Sequence, residues 1–260
     1  MLSCMVYRAG QRQAGETLDE YNRRTKACLE PGLEELLKVS QDSLTTVSIV
    51  ACSNILTDKC LWLVSGYCRL LERLTYISDT HPLTAEVMWA LGGGCPSITS
   101  LMVPPLHTGT LKQGLTNRCL LLMAQFYPDL LQLGIGGHAL DATGLVPLVQ
   151  SCQRLQFLSL NHIKELKDDT VAAMCKAGLR QLQRLELNCI PLKAEAIRNF
   201  YNSCRHLKEL RVTVSIHDYW EDARKKKNRE DYKKILASLE ELKSQAGLGN
   251  ILRLQAASVD

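Results

Sequence analysis

A stretch in the middle of the chain, from Cys152 to Cys175, contains a pattern that the rest of the sequence repeats. In its first part, Leu155–Leu160, apolar residues alternate with others, as in a short β-strand that has one apolar edge. Its second part, Asp168–Cys175, has apolar residues at the three- and four-residue spacing of one helix face. A single strand and helix of this size cannot bury its own apolar face, so the unit needs neighbours of the same kind.

Six further copies of the Leu-x-x-Leu-x-Leu pattern supply those neighbours. The first leucine-type position recurs every 25 to 32 residues, at Leu44, Leu71, Ile98, Leu130, Leu155, Leu182 and Leu207. The fourth and sixth positions are apolar or aromatic in every copy: Val47 and Ile49, Leu74 and Tyr76, Leu101 and Val103, Leu133 and Ile135, Leu158 and Leu160, Leu185 and Leu187, Leu210 and Val212. This is the pattern of a leucine-rich repeat. The sequence therefore predicts an α/β leucine-rich-repeat solenoid, a horseshoe arc with parallel strands on the concave face and helices on the convex face.

Composition is consistent with one elongated domain and excludes several functions. The chain has 260 residues, of which 46% are apolar but only 5% aromatic, so we expect no deep pocket for a flat cofactor and predict no cofactor. The net charge of +4, with a calculated pI near 8.5, lies below the strongly basic balance of a dedicated nucleic-acid binder. We therefore expect no nucleic-acid partner.

Cysteine usage indicates a reducing compartment. Cysteine stands three residues before the first leucine in four copies, at Cys68, Cys95, Cys152 and Cys204. Eleven cysteines is an odd number, and their shared register is typical of small buried apolar side chains rather than of a disulfide framework. The start of the chain has no signal-peptide-like apolar segment, and no run approaches 18 apolar residues. We expect a soluble, cytoplasmic protein with no membrane partner.

The pattern divides the chain into three parts. Residues 1–43 are predicted to be a lead-in and capping helices, with one helix from about Leu18 to Cys28, an interruption at Pro31-Gly32 and a second short helix. Residues 44–216 hold about seven repeats; the longest interval places an insertion loop at Pro104–Thr110, followed by a helix at Asn117–Phe126. Residues 217–260 are predicted to hold a basic segment, a helix and a capping strand.

The concave face is the expected binding surface. Side chains alternate across a strand, so the residues between the buried positions point away from the core, and exposed sheet faces are where solenoids usually bind. These positions change along the solenoid from small and neutral to charged. Arginine and aromatic residues are enriched among binding hot spots. The predicted partner-binding residues are Arg73, Met102, Phe157, Arg184, Glu186, Glu209 and Arg211.

No other motif predicts catalysis or a metal site. The glycines of Gly134–Gly137 lack a phosphate-loop pattern, and His138 has no second ligand at suitable spacing. The cysteines at 52, 60 and 68 lack zinc-site spacing, and no nucleophile–base pair stands out. Asp168-Asp169 are expected to cap a helix. The basic run Arg224–Arg229 is diluted by Glu230 and Asp231, which favours a solvated surface.

The leucine-rich pattern with cysteine three residues ahead resembles the cysteine-containing leucine-rich repeats of F-box proteins. Four further stretches resemble the family: Cys52–Leu63, Glu86–Gly92, Pro104–His107 and Gly249–Leu252. Members are substrate-recognition subunits of a cullin-RING ubiquitin ligase, whose F-box binds the adaptor Skp1 while the repeats hold the target. The resemblance also implies association with the cytoskeleton or centrosome.

An F-box is roughly 45 residues long, begins with Leu-Pro and contains several apolar helices. Residues 1–43 contain no such pattern. A Skp1-cullin complex is therefore expected as a partner only through an F-box absent from this chain. We predict a non-catalytic module that receives a protein substrate on its concave face. The alternative is a leucine-rich-repeat scaffold or inhibitor, outside the ubiquitin system, that binds a protein partner on the same face.

Overall fold

The computed structural model describes residues 2–4, 14–50, 58–78, 82–105, 115–164, 166–245 and 247–256. Within these ranges strands and helices alternate, and nine strands form one parallel sheet in chain order. The strands are β1 Leu2–Cys4, β2 Thr46–Val50, β3 Arg73–Ile77, β4 Ser100–Met102, β5 Gln132–Gly136, β6 Phe157–Asn161, β7 Arg184–Asn188, β8 Glu209–Val214 and β9 Leu252–Ala256. The main helices are α1 Leu18–Ser40, α2 Lys59–Tyr67, α3 Ala85–Gly94, α4 Asn117–Phe126, α5 Ala142–Ser151, α6 Asp168–Ala177 and α7 Ala194–Ser203. This order confirms the predicted leucine-rich-repeat solenoid.

The strand register confirms the alignment of the repeats. Leu158 of β6 pairs in register with Leu133 of β5 and with Leu185 of β7. The same row continues from Val47 at one end to Leu210 at the other. All fourteen fourth- and sixth-position side chains are buried. The core is therefore a seam between the sheet and the helix layer that lengthens with each repeat, as expected for a solenoid.

The cysteines that precede the first leucine of a repeat by three residues stand where the helices end: Cys68, Cys95, Cys152 and Cys204 end α2, α3, α5 and α7. The backbone N–H of Cys152 donates to the carbonyl of Leu148 at 2.9 Å and ends α5. Its thiol then reaches the preceding repeat and donates to the carbonyl of Tyr127 at 3.4 Å. Cys95 does the same with the carbonyl of Val64 at 3.6 Å. A small buried side chain that satisfies a helix carbonyl explains why cysteine recurs here.

The N-terminal part corrects two predictions. The capping box at Thr17 and Glu20 is present, but α1 is a single helix of 23 residues that runs through Pro31. The predicted break at Pro31-Gly32 is wrong, because the helix continues past Pro31 even though proline removes its own N–H and crowds the preceding turn. Leu37, in a later turn, is fully buried and packs this part of the helix on the core. In addition, β1 pairs in parallel with β2, so the lead-in includes a strand.

The C-terminal part covers the last repeat with further elements. A short helix α8, Ile216–Tyr219, is followed by α9, Lys226–Glu241, a 3₁₀ turn at Leu242–Ser244 and α10, Leu248–Ile251. The Tyr232 hydroxyl of α9 donates to the carbonyl of Val214 at 3.2 Å. Strand β9 then pairs with β8, which brings Arg253 beside Arg211. The exposed sheet surface therefore extends one strand beyond the last predicted repeat.

Replacing Leu158 by alanine should lower the free energy of unfolding by about 2–5 kcal/mol, because the side chain is 1% exposed and leaves a cavity between two repeats. Val39→Ala is the matched control, since Val39 is 86% exposed and should change stability by less than about 0.5 kcal/mol. Denaturant unfolding measures both. Equal stability of the two variants would contradict the assignment of Leu158 to the core.

Thiol reactivity should distinguish the buried cysteine register from Cys175. Burial raises the pKa of Cys68 to about 11 and that of Cys152 to about 12, so at pH 8 roughly one Cys152 in 10,000 is a thiolate. Cys175 is half-buried, and the hydrogen bond from the Cys204 thiol lowers its pKa. Iodoacetamide labelling of the native chain, mapped by mass spectrometry, should therefore modify Cys175 long before Cys68 or Cys152. Simultaneous modification of the three would contradict the described packing.

Candidate functional site

The concave sheet surface brings most of the predicted binding residues into two neighbouring rows. Phe157, Arg184 and Glu209 begin strands β6, β7 and β8 and pair in register. Glu186 and Arg211 lie two residues further along β7 and β8 and also pair in register. All five alternate with buried leucines and valines, so their side chains emerge on the face opposite the helices.

Four of these residues form a continuous ion-pair network, called the charged cluster below: Arg184, Glu186, Glu209 and Arg211. The Nε atom of Arg184 lies 2.8 Å from a carboxylate oxygen of Glu209. The two terminal nitrogens of Arg211 lie 2.9 Å from Glu209 and 3.2 Å from Glu186. Each pair joins neighbouring positions on adjacent strands or the same strand. Sheet register and the reach of arginine therefore set the geometry of the cluster.

The carboxylates of the charged cluster lie deeper than its guanidinium groups. The side chains of Glu186 and Glu209 are 19% and 28% exposed, whereas those of Arg184 and Arg211 are 57% and 48% exposed. The carboxylates thus form the floor of the cluster and hold the arginines from below. The part that an approaching molecule meets first is cationic.

Apolar side chains lie beside the charged cluster. The Arg184 guanidinium lies over the Phe157 ring, with 5.9 Å between its central carbon and the ring centroid. Met102 lies across Gly134, where a Cβ on residue 134 would meet the methionine methyl group. Arg184, Phe157 and Met102 line an open cavity of about 570 Å³ on the concave face, together with Gln132, Gln156, Gln183, Lys208, Glu209, Ile251 and Arg253. The cavity combines charge, amide groups and an apolar wall.

One predicted residue lies outside this group, and two cations were missed. Arg73 is exposed at the start of β3, three strands from Phe157, at roughly 14 Å for a 4.8 Å strand spacing. Lys208 and Arg253 line the cavity but were not predicted. A signal for Arg253 was present, since it lies between Leu252 and Leu254 as Arg211 lies between Leu210 and Val212.

The convex face carries a second surface feature, an apolar ridge formed by Trp62, Trp89 and Leu121. Each side chain is exposed, and each stands six residues before the residue that ends its helix. The equivalent helix position is the half-buried Val146 in α5, the small Ala172 in α6 and the charged Arg198 in α7. The ridge therefore belongs to the first repeats, at the opposite end and face from the charged cluster.

The other candidate sites remain without supporting geometry. Within the described ranges, no group of three or more His, Cys, Asp or Glu side chains is placed to hold a metal ion. Gly134 and Gly136 lie within strand β5 rather than in a phosphate loop. In the basic segment, Lys225 and Lys226 lie 3.8 and 3.9 Å from Asp222 and Glu230. Residues 106–110 of the predicted insertion loop lie outside the described residues. None of the helices described is long and apolar enough to span a bilayer.

Sequence comparison gives a specific match for this repeat array. F-box only protein 41 of Mus musculus and of Homo sapiens are each 39% identical to the chain over 245 residues, which is 94% of the chain. The chain is similar to F-box only protein 41. It spans 28% of the length of these relatives and so resembles a C-terminal part of them. No protein-family model matches the sequence.

Comparison with solved structures matches the chain to the leucine-rich repeat-containing protein LegL7 from Legionella pneumophila. The match has a TM-score of 0.47 at 14% sequence identity and covers 87% of this chain and 69% of LegL7. The fold assignment itself depends on the alternating strands and helices and on the register of the buried leucines.

The charged cluster should contribute little to folding. Ion pairs between exposed side chains contribute about 0.2–1 kcal/mol, so the coupling energy between Arg184 and Glu209 should fall below about 1 kcal/mol. Denaturant unfolding of the wild type, Arg184→Ala, Glu209→Ala and the double variant measures that coupling. A coupling above about 2 kcal/mol would assign the cluster a structural role instead, because exposed pairs do not reach that value.

Proposed function

We propose that this chain is a non-catalytic protein-binding module that receives the substrate of an SCF-type E3 ubiquitin ligase on its concave face. The observation that carries the proposal is the cavity of about 570 Å³ on that face, whose lining includes the predicted residues Met102, Phe157, Arg184 and Glu209. Similarity to F-box only protein 41 supports the ligase assignment. Contact with Skp1 and a cullin belongs, in this proposal, to an F-box outside this chain.

The chemistry of the face favours binding over catalysis. Its two carboxylates, Glu186 and Glu209, each contact a guanidinium group at 2.8–3.2 Å, so neither of them stands isolated as a general base would. Arginine, phenylalanine and methionine are instead enriched at protein interfaces. We place the protein in a reducing, cytoplasmic compartment, because Cys68, Cys95 and Cys152 serve as buried thiols in the core.

The rival function is a scaffold or inhibitor that uses the same face outside the ubiquitin system. The two are distinguished by the fate of the bound protein. Under the ligase proposal, a partner captured by this chain is ubiquitinated when the chain is carried behind an F-box in a Skp1–cullin complex. Under the rival, the partner is bound with no ubiquitin transfer.

The double substitution Arg184→Glu/Arg211→Glu should abolish partner capture while the chain remains folded. Both side chains project into solvent, so stability should change by about 0.5 kcal/mol per site at most, whereas losing an interface anchor commonly costs about 2 kcal/mol or more. Charge reversal adds repulsion. Affinity capture with quantitative mass spectrometry, alongside thermal melting, measures both effects.

Trp89→Ser is the matched control, because it changes an exposed side chain on the opposite face. It should leave capture of the same partners unchanged. If the double arginine variant captures them at full strength and Trp89→Ser loses them, the partner binds the apolar ridge and the concave-face proposal is wrong.

A further inference from the structure

We infer that the concave face recognises an extended acidic segment of its protein partner, bound across strands β7, β8 and β9 beside Phe157. This inference rests on the proposed function, since it names the chemistry of the partner for the same face. The surface concerned is called the cationic groove below and consists of Arg184, Lys208, Arg211 and Arg253 above the floor of Glu186 and Glu209.

Charge is unequally distributed with depth in the cationic groove. The groove has four cations and two carboxylates, and both carboxylates already contact guanidinium groups at 2.8–3.2 Å. Glu209 contacts two arginines, and Arg211 contacts two carboxylates. The cations are therefore the more exposed layer and outnumber the anions, so the groove attracts an anionic partner.

The cationic side chains of the groove are hydrogen-bond donors. Lys208 donates through Nζ to the side-chain oxygen of Gln183 at 3.0 Å. An ammonium group is a donor only, so the Gln183 amide accepts this bond through its oxygen, and its NH₂ group is the donor end of the amide. Guanidinium groups also donate and never accept. The groove thus offers donors to a partner and fits one that is rich in acceptors, as a carboxylate-bearing segment is.

The spacing of the arginines fits an extended peptide. Arg211 and Arg253 lie in one row on β8 and β9, and Arg184 lies on β7 two residues back from that row, so Arg184 and Arg253 are about 12 Å apart for spacings of 4.8 Å across strands and 6.8 Å along them. An extended peptide advances about 6.8 Å over two residues, so two or three acidic residues at alternate positions match this width. Phe157 and Met102 add an apolar wall beyond the arginines, which fits an apolar residue next to the acidic run.

A nucleic acid fits the same groove less well. Single-stranded binding relies on aromatic rings that stack on bases, whereas the Phe157 ring is covered by the Arg184 guanidinium at 5.9 Å. Phosphates that follow the groove would also approach the carboxylates of Glu186 and Glu209. A peptide avoids this repulsion because its charges lie on side chains that reach the outer guanidinium groups individually.

Peptide binding to the complete 260-residue chain tests the inference. The probe is a fluorescein-labelled twelve-residue peptide with glutamate at alternate positions and a leucine at one end, and its matched partner has glutamine in place of each glutamate. Fluorescence anisotropy should show the glutamate probe binding about tenfold or more tightly. Raising the salt from about 50 to 300 mM should weaken that binding, because exposed charges are screened over shorter distances.

Variants locate the site. Arg184→Gln/Arg253→Gln should weaken the glutamate probe about tenfold, the effect of losing roughly 1.4 kcal/mol of binding. Glu186→Gln should strengthen it, because the change removes a carboxylate from the floor and keeps the side chain's shape. Lys226→Gln/Arg229→Gln removes the same charge from the basic segment and should have no effect. Thermal melting confirms that each variant is folded.

Three results would overturn the inference: equal binding of the two probes, equal loss with the basic-segment control, or displacement of the glutamate probe by a twelve-nucleotide single-stranded DNA of mixed sequence at equal concentration. The proposed function fails separately. If Arg184→Glu/Arg211→Glu abolishes capture of protein partners while the two probes bind equally, protein binding stands and the acidic chemistry is wrong. If the variant captures partners normally and the probes bind equally, both are wrong.

Discussion

Apolar contact between one strand–helix unit and the next is the interaction on which every other feature of this protein depends. Leu158 lies in register between Leu133 and Leu185, and all three are buried. No unit covers its own apolar face, so the units hold one another in register. That shared register also places Arg184 opposite Glu209 and Glu186 opposite Arg211 on the other side of the sheet. The charged cluster is thus a consequence of leucine packing as well as of charge.

Features that every repeat must satisfy were predictable from the sequence. Burial requires an apolar side chain at the same position of each strand, and a cysteine ends the helix at the same position in four repeats. Both requirements repeat along the chain, so Leu133 and Cys152 are recognised by comparison with their counterparts. Helix α4 was predicted at its observed bounds, Asn117–Phe126, because the pattern resumes after the longest interval.

Features that occur once were harder to predict. The break expected at Pro31 did not occur, and the helix continues to Leu37, whose burial in the core is a contact that the local pattern around Pro31 does not contain. Strand β1 has no complete repeat pattern that would have marked it. The pairing of Arg211 with two carboxylates depends on side-chain reach between strands, which a one-dimensional pattern does not contain. Arg253 was missed because the last strand was interpreted only as a cap.

The strict alternation along β7 has a consequence for how such a protein changes over time. Leu185 and Leu187 hold the strand in place, while Arg184 and Glu186 face away from the core. The outward residues therefore occupy a grid with spacings of about 4.8 Å across strands and 6.8 Å along them. Each grid point can be exchanged for another residue without altering the volume of the core. Single substitutions of outward-facing residues can thus change which partner the sheet binds, while the repeats keep the same shape.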